Sequence, residues 1–188
     1  MKVYLVTSTT YGTWLPGDER GSVSDHYSPN GIRFRNNQPR TEYDGPRPDS
    51  EDASRSGMKQ AAVWLTLEQA VHVVSQLDET CRHRGWTLHA ASAAKNPFHA
   101  VVEVIGDPTP KKVRNDLKAW LSVRLNREFG EREWWTEGGS VRKKADELAV
   151  LEAVRYVRDQ PDAWVIQLNP QSLWVRKLEV LDLERPKG

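Results

Sequence analysis

The sequence predicts an α+β fold: a ferredoxin-like antiparallel sheet with two packed helices plus an additional C-terminal helix that bears a tyrosine. Three observations predict it. Strand-like and helix-like segments follow one another as strand, helix, strand, strand, helix, strand, the order of a split βαβ sandwich. Two segments, 66–85 and 109–130, carry apolar residues at helical spacing behind N-cap signals. A third helical segment, from about Ala145 to Asp159, follows the last strand and stops before Pro161.

Residues 2–9 (KVYLVTST) are β-branched and aromatic, the composition of a strand. The stretch 15–60 is polar and rich in Pro, Gly, Ser, Asp and Arg, and reads as a loop or insertion with a short helix near its end. Arg33, Arg35 and Arg40 within it could touch phosphate or simply be solvated. Thr66-Leu67-Glu68-Gln69 forms a capping box. Leu67, Ala70, Val71, Val74, Leu77 and Cys81 then make the apolar stripe of the first helix, closed by Gly85. Cys81 on that stripe reads as packing. His72 and His83 fall off it and read as surface residues.

Trp86–Ala94 and His99–Ile105 read as strands around a KNPF turn. Thr109 caps the second helix with Pro110 at its first position. Val113, Leu117, Trp120, Leu121 and Leu125 form its buried stripe; Lys111, Lys112, Arg114, Lys118, Arg124 and Arg127 lie on its other face. A short strand is expected at Ser140–Lys143, and the tail from Asp162, with Trp164 and Trp174, adds a strand or docks on the core. Residues 1–165 thus read as one domain and 166–188 as a tail.

Composition narrows the function. Lys and Arg number 27 against 26 Asp and Glu, so polyanion binding would need a local patch. The one cysteine excludes an internal disulfide and a cysteine-based zinc site, which fits a reducing, cytoplasmic setting. No apolar run approaches the roughly 20 residues a membrane span needs, and MKVYLVTSTT lacks a signal-peptide plan. Eight tryptophans are unusual at this length, and tryptophan is a good stacking platform for bases.

Two places carry candidate chemistry. His99, Val101 and Glu103 share one face of their strand. A histidine on a covered sheet face needs partners for its ring nitrogens, either as structural hydrogen bonds or as a metal ligand. Tyr156 and Gln160 stand four residues apart, one above the other on a helix, while Leu148, Leu151 and Val154 fall mostly on another side. A phenol and an amide facing a histidine suit a tyrosine nucleophile beside a divalent ion, with an interfacial structural tyrosine as the alternative.

Four segments resemble the REP-associated tyrosine transposases and related single-tyrosine transposases of the His-hydrophobic-His class. They are TTYGTWLPGDERG at 9–21, NPFHAVVEV at 96–104, DPTPKKVRNDLKAWLSVRLNREFG at 107–130 and WWTEGGSVRKKADELAVLEAVRYVRDQP at 134–161. The resemblance implies a domain that binds single-stranded or hairpin DNA and cleaves and rejoins it through a 5′-phosphotyrosine link, using Mg²⁺ or Mn²⁺. It makes Tyr156 the nucleophile and His99 and Gln160 metal ligands. DNA contacts would come from Lys111, Lys112, Arg114, Lys118, Arg142, Lys143 and Lys144. A homodimer is one state found in the class, a monomer another.

One position departs from the pattern. The second histidine of the motif is Val101, which cannot ligate. Glu103 lies about 6–7 Å further along the strand, and an unbroken hairpin register puts His89 on the opposite face. The metal site is therefore weakened, since a hard cation would rely on water and substrate phosphate. A catalytically impaired DNA-binding relative is the alternative to an active nuclease, and an unrelated structural protein of the same fold is the third reading.

Overall fold

The computed structural model describes residues 1–20, 25–27, 30, 33–35, 45 and 48–183. Strand β1 (Lys2–Ser8) is followed by a small hairpin, β2 (Asp25–Tyr27) with β3 (Arg33–Arg35), and by α1 (Pro48–Ser56). Arg40 and the side chains of Arg33 and Arg35 lie outside the described part. Then come α2 (Leu67–His83), β4 (Thr87–Ala93), β5 (Phe98–Val104), α3 (Pro110–Phe129), β6 (Ser140–Lys143), α4 (Glu147–Arg158), β7 (Val165–Leu168) and α5 (Leu173–Leu183).

Five of the strands form one antiparallel sheet in the order β6–β1–β5–β4–β7. The first four reproduce the ferredoxin-like arrangement, and β7 extends it along the free edge of β4. The central strand β5 is almost wholly buried, because its odd and even residues enter different cores. Phe98, Ala100, Val102 and Val104 join Leu77, Leu117, Leu121 and Trp134 under α2 and α3. Val101 joins Val3, Leu5 and Ala90 beneath Val150, Ala153, Val154 and Val157 of α4 and Val175 and Leu178 of α5. Helices thus cover both sheet faces.

Local signals set the helix starts. The Thr66 hydroxyl accepts from Gln69 N while the Gln69 side chain accepts from Thr66 N, and the Thr109 and Asp146 side chains accept from Lys112 N and Ala149 N to cap α3 and α4. Gly85 takes φ +66° directly after α2, a left-handed conformation that suits glycine. Cys81 is buried, and burial pushes its thiol up to about 12, as packing requires.

Tertiary docking rotates three helices from the expected faces. On α2 the buried line is Ala70, Val73, Val74, Leu77 and Cys81, leaving Leu67 and Val71 exposed. Trp120 of α3 is exposed, edge-on to His83. Leu148 is exposed on α4 because its valines at 150, 154 and 157 face the sheet. His72 is half-buried: it stands edge-on to Phe129 and accepts a hydrogen bond from Arg124 Nε at 3.2 Å. Among the described residues, no helix is long and apolar enough to cross a membrane.

Docking of α5 depends on Leu178, which is fully enclosed. Leu178→Ala is expected to cost about 2–5 kcal/mol. Chemical denaturation should show a lower midpoint; an unchanged one would mean that α5 contributes nothing to the core.

Candidate functional site

Strand pairing builds the site. Ser140 of β6 opposes Thr7 of β1, Thr7 opposes His99 of β5, His99 opposes Ser92 of β4, and Ser92 opposes Ile166 of β7. Directly opposed residues share a face, so one row crosses all five strands on the side covered by α4. His99 is buried in the middle of it. Its Nδ1 lies 2.8 Å from Thr7 Oγ1. If Nδ1 carries the proton and donates to the hydroxyl, Nε2 keeps its lone pair for a ligand or a proton. Burial lowers the imidazole pKa to about 4, so the ring is neutral at neutral pH. The Ser92 hydroxyl opposite is buried without a hydrogen-bond partner among the described residues.

Helix α4 brings Tyr156 onto this row. Its ring stands edge-on to His99, with centroids 5.2 Å apart at 86°. The residue is 47% exposed, so it is open to solvent as well as packed on the histidine. The valine ridge of α4 fixes this placement: Val150, Ala153, Val154 and Val157 enter the core, which turns Tyr156 to the rim. Gln160 follows α4, and its Nε2 donates to the Tyr156 carbonyl at 2.9 Å, closing the helix end. Histidine and tyrosine are thus in contact, whereas the Gln160 side chain, among the described residues, donates to its own helix.

Val101 is fully enclosed in the α4 core. His89 lies on the same face as His99, contrary to the unbroken-hairpin expectation. A β-bulge between Leu88 and Ala90 adds a residue to β4 and turns the His89 side chain over. There its Nδ1 lies 2.9 Å from Ser172 Oγ, and its Nε2 lies 3.2 Å from Glu103 Oε2 without hydrogen-bond alignment. Burial lowers the His89 pKa, with Glu103 opposing the shift. The group ties the start of α5 to the sheet. Among the described residues, no three His, Cys, Asp or Glu side chains assemble as a metal-ligand set. One imidazole nitrogen and one amide, beside a core valine, do not compose a hard-cation site.

The basic residues divide into two groups. Lys118 Nζ donates to the carbonyls of Thr136, Glu137 and Gly138, and burial and the Arg114 charge lower its pKa to about 8. Arg114 Nη1 donates to the Gly139 carbonyl at 3.1 Å. These two hold the 136–139 segment, where a Cβ on Gly139 would meet Thr7 O at 2.9 Å. Lys112 pairs with Asp116 at 3.0 Å. Lys111, Arg142 and Lys143 are exposed; the pairing of Arg142 with Leu5 puts it on the His99 face, and that of Lys143 with Tyr4 puts it on the α3 face. Lys144 is half-buried, its pKa lowered by burial and then by Arg142. A groove of about 710 Å³, lined by Asn115, Lys118, Trp134 and Thr136, opens beside α3, away from Tyr156.

No family model and no curated protein matches this chain. A solved structure of a REP-associated tyrosine transposase bound to a REP hairpin aligns with 86% of this chain and 75% of its own, at 9% identity and a TM-score of 0.47.

The sequence did not disclose Thr7, Ser92, Ser140 and Ile166 as members of the row, since only strand register brings them together. The bulge at His89 likewise leaves no pattern in a run such as TLHAASA.

Buried neutral His99 predicts pH dependence. The unfolded chain protonates near pH 6.5 and the folded one near 4, so between these values the unfolded state holds the extra proton. Stability is full above pH 6.5 and falls towards pH 4, by about 3 kcal/mol at most for this residue. His89 acts in the same sense. Denaturation at pH 7 and 4.5 should show the drop, and His99→Gln should reduce it.

Proposed function

We propose that the protein binds single-stranded or hairpin DNA in the manner of the transposases its sequence resembles, with Tyr156 and His99 as the reactive pair. The observation that carries this reading is the edge-on contact of a half-exposed Tyr156 with a buried neutral His99. The resemblance assigned the two residues to one site from separate segments, and the fold joins them.

In the cleavage step, the Tyr156 oxygen attacks a backbone phosphorus. The new bond is Tyr Oη–P and the broken one P–O3′, which leaves a 5′-phosphotyrosine and a free 3′-hydroxyl. The phenolic proton passes to solvent or to His99 Nε2, and the leaving 3′-oxygen takes one from water. Rejoining is the reverse attack by a 3′-hydroxyl, so no nucleotide cofactor is consumed. A neutral imidazole accepts a proton or a hydrogen bond at pH 7, though its low pKa makes it a weak base. The Mg²⁺ or Mn²⁺ that the resemblance implies would meet only His99 and Gln160 here, and no step is routed through it.

A second reading has its own support: Val101 occupies the second ligand position as a core residue. On that reading the protein grips DNA without turnover. In both, Lys111, Arg142 and Lys143 are the phosphate contacts, since Lys118 and Arg114 are committed to backbone carbonyls.

Incubation with labelled single-stranded oligonucleotides from the flanks of the gene, with Mg²⁺ or Mn²⁺, distinguishes the readings. A covalent adduct on a denaturing gel that is abolished in Tyr156→Phe establishes the nuclease. DNA binding without an adduct establishes the silent binder, and absence of both rejects the DNA reading. Replacing Lys111, Arg142 and Lys143 by Ala should weaken binding and flatten its salt dependence, by roughly one unit of the logarithmic slope per lost phosphate contact.

A further inference from the structure

Three exposed apolar side chains along the β4/β7 edge of the sheet are unexplained by the core. Trp164, Ile166 and Trp64 are 45%, 43% and 50% exposed. Strand register places Ile166 on the α4 side, and the chain beside that edge carries Trp164 and Trp64 exposed next to it. Val165 packs towards the α2/α3 core, so Ile166 faces the α4 side and opposes Ser92 in the row that contains His99, while Trp164 stands exposed just before the strand. Trp164 N donates to Ala93 O, and Leu65 N to Lys95 O. Segments 63–65 and 164–166 therefore follow one another along the outer edge of β4. Val63 and Leu65 enter the α2/α3 core, and alternation turns Trp64 away from it.

We infer that Trp164, Ile166 and Trp64 form a platform on which unpaired bases stack, leading a single strand across the sheet edge to Tyr156. Ile166 is two strands from His99, about 10 Å, a distance that about three stacked bases span at 3.4 Å each. Charge complementarity favours a nucleic acid over an apolar protein partner. Lys95 Nζ lies 5.0 Å from the Trp64 ring centroid and makes no ion pair among the described residues. Arg142 stands exposed on the same face at the opposite edge strand. A cation beside an aromatic ring matches a phosphate next to a stacked base. The inference rests on the DNA-binding reading and adds the part of the surface that takes the bases.

The test is fluorescence anisotropy with a labelled oligothymidylate, the same backbone carrying abasic sites, and a duplex of equal length. Trp164→Ala and Trp64→Ala should each weaken oligothymidylate binding about tenfold. Trp120→Ala, an exposed tryptophan on α3, should leave it unchanged, and Trp164→Phe should retain most of it. The abasic strand should bind wild type weakly and no longer separate the variants. Quenching of intrinsic fluorescence on oligothymidylate binding, reduced in Trp64→Phe/Trp164→Phe, reads the same contact without truncating a side chain. Wild-type affinity in both alanine variants, or equal binding of the abasic strand, overturns the platform while the DNA reading stands. No binding of strand or duplex by wild type overturns both. Loss of a dimer in Trp164→Ala with DNA affinity unchanged would assign the surface to a second copy instead.

Discussion

Burial of β5 on both faces is the constraint on which the rest of the structure depends. Its even residues complete one core beneath α2 and α3, while Val101 completes another beneath α4. Backbone alternation leaves no freedom here: once Phe98 and Val102 face one way, His99 must face the other. The position of His99 is thus a by-product of packing. Helix α4 then sets the Tyr156 ring edge-on to it.

The same packing explains why position 101 offers no ligand beside His99. A ligand two residues after His99 would have to occupy the place of Val101, which touches the valine ridge of α4. A buried imidazole there would need a partner for each nitrogen or bear a desolvation cost. Valine stabilises the contact between α4 and the sheet, and that contact is what presents Tyr156. Support for the tyrosine and ligation of a cation therefore compete for one position. His89, brought to this face by the bulge, is spent on anchoring the start of α5 through Ser172.

Charge is divided by a similar logic. The 136–139 segment must pass close to Thr7 to begin β6, and its carbonyls there need donors. Lys118 and Arg114 supply them. Cations so used are poor phosphate ligands, because their donors are already engaged and Lys118 is partly buried. Lys111, Arg142 and Lys143 are exposed at the ends of elements, and Lys95 lies in the turn between β4 and β5.

Much of the fold was determined by sequence alone. The capping box at Thr66, Pro110 after Thr109, the apolar stripes and Gly85 are local signals, so helix starts and the strand at Ser140–Lys143 could be read directly. The faces of His99, Val101 and Tyr156 were also legible, because a periodicity of two or of four residues fixes faces within one element; that Val101 stands where a second histidine is expected follows from the resemblance alone. What tertiary structure decided was everything that needs two elements at once. It turned Leu67, Val71, Trp120 and Leu148 outward, flipped His89 through a bulge and tied Lys118 to carbonyls. It also aligned Thr7, Ser92 and Ile166 with His99. The physical reason is range: capping and periodicity act over a few residues, whereas strand register and helix rotation are set by the shared burial of side chains distant in the chain.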